Sequence, residues 1–202
     1  MTRVKLCGLM RPADIEAANR LGPDYVGFVF APKSRRFIGH DKAEELRGRL
    51  RCGIKAVGVF TDEAPEVVAA LLERGVIDLA QLHGDEDERY LAELRRLTDR
   101  PVIRAFRIRS PEDIRRAQES TAEHLLLDSG AGTGETFDWS LAGMSSRPFF
   151  LAGGLTPENV GAAIRQVHPL AVDVSSGIET DGSKDEKKMA AFVAAVRKED
   201  RL

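Results

Sequence analysis

Short apolar runs alternate with longer amphipathic ones along the whole chain. The apolar runs are RVKLC (3–7), DYVGFVF (24–30), IKAVGVF (54–60), DLAQLH (78–83), PVIRAF (101–106), HLLLD (124–128), PFFLAGG (148–154) and AVDVSS (171–176). Their length and their β-branched and aromatic residues predict eight strands. Between them lie stretches of helical period with recognisable starts: RPADIEAANRLG, DKAEELRGRL, APEVVAALLERG, DEDERYLAELRRL, SPEDIRRAQES and TPENVGAAIRQV. The sixth connection, FDWSLAGMSSR, is too short for a full helix. After the last strand, SKDEKKMAAFVAAVRKE sets Met189, Phe192, Val193 and Val196 on one face, which predicts a closing helix.

Eight strand–helix units in this order predict an α/β fold, a single-domain (β/α)8 TIM barrel over residues 1–202. The competing arrangement is an open, doubly wound sheet. Closure is favoured because polar residues (Cys7, Gln81, Asp128, Ser175) end strands scattered over the whole chain, whereas an open sheet gathers its ligand residues at one switch point.

Composition narrows the partners. With 43% hydrophobic residues, 31% charged residues and a formal net charge of −2, the chain has no basic excess for neutralising phosphates in bulk, so neither nucleic acid nor an anionic membrane is expected. Two cysteines without framework spacing, no apolar leader and no long apolar run point to a cytoplasmic protein acting on a small molecule.

Candidate chemistry sits at the strand ends. Cys7 closes the first strand on the same face as Lys5; a buried inert thiol is its bland reading, and Cys52, at the opposite mouth, takes that reading almost entirely. Ser34, Arg35 and Arg36 follow strand two, where an arginine fork suits a carboxylate or phosphate. Gln81 and His83 end strand four as substrate-facing or hydrogen-bonded rim positions, and His83 has no companions at metal-ligand spacing, so no metal is expected. Asp128 follows three leucines, and a carboxyl group at an apolar mouth can be shifted into the range of a general acid. Gly130, Gly132 and Gly134 have GxGxG spacing and no long helix after them, which excludes a dinucleotide fingerprint. Gly153 and Gly154 after strand seven, with Ser175, Ser176 and Gly177 after strand eight, expose backbone N–H groups where barrels commonly hold a phosphate.

The motifs VKLCG, GFVF with KSRR, VGVF, QLHG, LLLD with TFDW, LAGGL with PENV, and AVDVSSGIE, in this order, resemble the phosphoribosylanthranilate isomerases of tryptophan biosynthesis. The resemblance implies a cofactor-free Amadori rearrangement of N-(5-phosphoribosyl)anthranilate to 1-(o-carboxyphenylamino)-1-deoxyribulose 5-phosphate. It implies Cys7 as general base, Asp128 as general acid and Arg36 as the holder of the anthranilate carboxylate. The phosphate grip would be Gly153, Gly154, Ser175, Ser176 and Gly177, with Gln81, His83 and Asp173 counted in the substrate-binding set. The segment between Asp128 and Phe137 is short against the family pattern, and the loop after strand eight reads TDGSKD, so loop closure is where a departure is expected. A small phosphosugar is the expected partner, with the chain a monomer or a homodimer.

A thiol works as a base at neutral pH only if some of it is thiolate, so something should lower its pKa. Lys5 points inward beneath Cys7, and Asp173 on strand eight should stand beside it where the barrel closes. An ion pair between them is expected below the site, with the lysine's charge favouring the thiolate.

Overall fold

The computed structural model describes residues 1–128 and 139–201. Eight parallel strands close into a barrel in sequence order, β1 (Arg3–Cys7), β2 (Tyr25–Val29), β3 (Lys55–Phe60), β4 (Leu79–Leu82), β5 (Val102–Arg107), β6 (His124–Asp128), β7 (Phe149–Ala152) and β8 (Ala171–Val174), with β8 pairing back onto β1. The helices are α1 (Pro12–Leu21), α2 (His40–Gly48), α3 (Pro65–Glu73), α4 (Glu88–Leu97), α5 (Pro111–Glu119), α6 (Trp139–Ala142), α7 (Val160–Val167) and α8 (Glu186–Glu199). The expected alternation holds along the described chain, down to the stunted sixth helix.

Strand parity explains how the sequence fills this barrel. Outward side chains such as Val4, Leu6, Val26, Phe28, Leu125 and Leu127 are buried against the helices. Inward ones form a separate apolar floor that includes Tyr25, Val57, Leu79, Ile103, Leu126 and Phe150. The Tyr25 and Phe150 rings meet there with centroids 5.4 Å apart, and burying a phenylalanine fully, as at Phe150, contributes about 1.5–3 kcal/mol. Two residues beyond Leu79, Leu126 and Ala171 the inward positions turn polar, at Gln81, Asp128 and Asp173. Lys5, Gln81 and Asp173 lie above the floor, and Cys7 ends β1 above them.

The chain after β8 differs from expectation. A 3-10 turn (Ser176–Ile178) leads into a two-stranded antiparallel hairpin, β9 (Glu179–Thr180) and β10 (Ser183–Lys184), and α8 begins only at Glu186. The cause is local. Asp181 and Gly182 both have positive φ, at 48° and 77°, which suits a two-residue hairpin turn. Asp185 then caps the helix by accepting from the N–H groups of Lys187 and Lys188. Ser183 and Lys184 are therefore strand residues, outside the helix that the periodicity predicts.

Candidate active site

Cys7, Arg36, Gln81, His83, Asp128 and Asp173 line one cavity of about 470 Å³ at the C-terminal mouth of the barrel. Gly153, Gly154, Ser175 and Ser176 line it as well, and Gly177 follows in the 3-10 turn. Cys52 is exposed and away from this cavity. Gly130, Gly132 and Gly134, and with them the shortened segment after Asp128, lie outside the described residues.

Below the thiol, the expected ion pair is present. Lys5 Nζ, fully buried, donates to Asp173 Oδ2 at 2.9 Å and to Gln81 Oε1 at 2.8 Å. Burial disfavours this ammonium, but Asp173 and Cys7 outweigh it and hold Lys5 above its ordinary range. The expected consequence for Cys7 needs correction. Burial pushes the thiol up more strongly than Lys5 and Lys184 pull it down, and Asp173 adds to the upward push, so Cys7 sits above its ordinary value. The lysine's charge does favour the thiolate, as expected, without prevailing over burial.

Space for the thiol comes from Gly27, its neighbour across the β1–β2 ladder. A Cβ there would stand 2.7 Å from Cys7 Sγ. Gly177 answers a similar need, because a Cβ at that position would meet the Leu155 carbonyl oxygen at 1.9 Å. The loop after β7 and the turn after β8 can therefore close on each other only around a glycine.

Arg36 is held from behind. Its Nε and Nη2 donate to Glu179 Oε1 and Oε2 at 2.6 and 2.9 Å, a bidentate pair, and Arg35 and Lys184 reach the same carboxylate at 2.6 and 2.7 Å. Burial works against the Glu179 charge, yet its bonds to Arg36 and Lys184 prevail and hold its pKa down at about 2. Burial lowers the pKa of Lys184, whose Nζ also donates to the Ser175 carbonyl at 2.9 Å, while Ser175 Oγ donates to the Cys7 carbonyl at 3.2 Å. Glu179 and Lys184 were absent from the residues expected from the sequence. The signal for them was the Asp181–Gly182 turn, which sets Lys184 directly opposite Glu179 in the hairpin.

On the far side of the cavity, Gln81 Nε2 lies 3.0 Å from His83 Nδ1, and His83 Nε2 lies 3.4 Å from Asp128 Oδ2. Among the described residues no group of three or more His, Cys, Asp or Glu side chains could hold a metal ion.

The family model described as N-(5'phosphoribosyl)anthranilate (PRA) isomerase matches residues 4–195. A curated relative, the N-(5'-phosphoribosyl)anthranilate isomerase of Dechloromonas aromatica, is 45% identical over 98% of each chain. Among solved structures, a phosphoribosyl anthranilate isomerase in complex with reduced 1-(o-carboxyphenylamino)-1-deoxyribulose 5-phosphate is 36% identical, with TM-score 0.86 over 98% of this chain and all of that one. A structure of monomers generated from the dimeric isomerase of Thermotoga maritima is also 36% identical, with TM-score 0.85 over the same shares. The chain belongs to the N-(5'-phosphoribosyl)anthranilate isomerase family.

Proposed function

We propose that Cys7 and Asp128 are the general base and general acid with which this chain isomerises N-(5'-phosphoribosyl)anthranilate in tryptophan biosynthesis. The observation that carries the assignment is that both line one cavity, from the ends of β1 and β6, with Arg36 and the glycine-rich ends of β7 and β8 around them. Opening the ribosylamine ring requires a proton on the ring oxygen as the C1–O bond breaks, and Asp128 supplies it. The iminium that results acidifies the C2 hydrogen. Cys7 takes that proton, and the enolamine tautomerises to the ketone. The rearrangement moves protons and bonding electrons within one molecule, so its redox balance closes without a cofactor.

Substrate placement follows from the walls. Arg36 is fixed on Glu179 through Nε and Nη2, which leaves Nη1, without a hydrogen bond among the described residues, for the anthranilate carboxylate. Backbone N–H groups around Gly153, Gly154, Ser175, Ser176 and Gly177 grip the phosphate, where the two loops meet at Gly177. Gln81, His83 and Asp173 line the cavity between these ends. Holding both ends makes the proton transfers effectively intramolecular.

The form of Cys7 that takes the C2 proton is its thiolate, which burial makes the minor form at neutral pH. Its two lysine neighbours, Lys5 and Lys184, both favour the thiolate. We further assign the chain to the cytoplasm, where its two free thiols stay reduced, and to a monomeric or homodimeric assembly. The functional assignment is tested by adding phosphoribosylanthranilate and following the loss of its fluorescence. Turnover supports it, and a folded protein without turnover removes it.

A further inference from the structure

Five side chains, linked by four contacts, form a row across the barrel mouth. Asp173 on β8 accepts from Lys5 on β1, Lys5 donates to Gln81 on β4, and the Gln81 amide meets His83, whose far nitrogen approaches Asp128 on β6. An ammonium can only donate, so the atom of Gln81 that faces Lys5 is its carbonyl oxygen. The amide orientation is fixed by that bond, because Lys5 and Gln81 are 0% and 2% exposed and no solvent competes for it. Its nitrogen, a donor only, therefore faces His83 Nδ1, which must be the acceptor. The ring proton then sits on Nε2, the nitrogen that points at Asp128.

We propose that Gln81 and His83 are positioning residues for the acid: buried Lys5 orients the Gln81 amide, the amide sets the Nε2–H tautomer of His83, and Nε2–H holds Asp128 through Oδ2. This deepens the assignment above and rests on Asp128 being the general acid. The 3.4 Å separation is longer than a made hydrogen bond, and such contacts tighten when substrate closes the site. A neutral Nε2–H serves both forms of the acid, since Oδ2 accepts from it whether or not the carboxyl carries its proton. A carboxyl pinned at one oxygen delivers the proton from the other in a fixed direction, and the charge left on it after transfer is stabilised where it develops.

Long-range 1H–15N NMR of the histidine-labelled protein reads the tautomer without reference to activity. The result expected is a protonated Nε2 and an unprotonated Nδ1 for His83. Gln81→Glu keeps the size and the Lys5 contact but offers only acceptors, so it should move the proton to Nδ1 and lower kcat about tenfold or more, with KM changed by no more than about twofold. A second pair of variants needs no buried charge. The nitrogen of Gln at position 83 falls near the Nε2 position and can still donate to Asp128, whereas that of Asn falls near Nδ1 and cannot. His83→Gln should thus retain about tenfold more kcat than His83→Asn, both folded by circular dichroism. A proton on Nδ1 in the wild type, or equal kcat for these two variants, overturns the proposal. Full turnover by folded Asp128→Asn instead overturns the acid assignment, while the tautomer remains as read.

Discussion

Replacing Gly27 with alanine tests whether the position of the Cys7 sulfur matters to the reaction. The added Cβ would stand 2.7 Å from Sγ, 3.0 Å from the Cys7 Cα and 3.2 Å from its Cβ. Ordinary carbon–carbon contact begins near ~3.5 Å, so the sulfur must retreat by about 0.8 Å, and the ladder between β1 and β2 must give a little as well. Overpacking of this kind costs about 1–3 kcal/mol of stability. A displacement near ~1 Å of a reacting group can cost about 10²-fold in rate. The expected outcome is therefore a folded protein, melting a few degrees lower, whose kcat falls by roughly 10- to 100-fold with KM little changed. Fluorescence turnover and thermal melting on one sample separate the two effects. A folded Gly27→Ala protein with wild-type kcat would refute the reasoning, because the base could not then depend on where Sγ stands.

Other consequences follow from the charged groups. Arg36→Met should raise KM more than it lowers kcat, since it removes binding remote from the reacting carbons; a collapse of kcat at constant KM in steady-state assays would contradict that role. Glu179→Gln should destabilise the protein at pH 7 and release Arg36, raising KM. Because the folded pKa of Glu179 is depressed to about 2, its contribution is complete above the unfolded value near ~4.3 and fades as pH falls from there toward 2. Melting curves of the two proteins should therefore converge over that window. Alkylation of Cys7 across pH should show a thiol titrating above its ordinary value, and Lys5→Met should move it higher still. An unchanged profile in folded Lys5→Met would remove Lys5 as a contributor.

Much of this site could be read from the chain because barrel geometry converts strand parity into position. Lys5 and Cys7 share a face of β1, and closure of β8 onto β1 sets Asp173 against Lys5 in register, which is why a pair separated by 168 residues was foreseeable. The hairpin was less visible: its strands are two residues each, too short for an alternation signal, and only Asp181–Gly182 marked the turn. Glu179 and Lys184 were missed with it. The state of the thiol could not be read at all, since the sequence shows which charges are near but not how much water is removed, and at Cys7 burial outweighs the lysines. The tautomer of His83 likewise depends on which end of the Gln81 amide faces it, and that is settled only by the contact with Lys5.

The central claim is that Asp128 gives the proton and Cys7 takes one, and the rates of Cys7→Ser and Asp128→Asn with phosphoribosylanthranilate test it most directly. Each variant, folded and melting close to the wild type, should lose about 10²- to 10⁴-fold in kcat. Wild-type turnover by either folded variant would contradict the account.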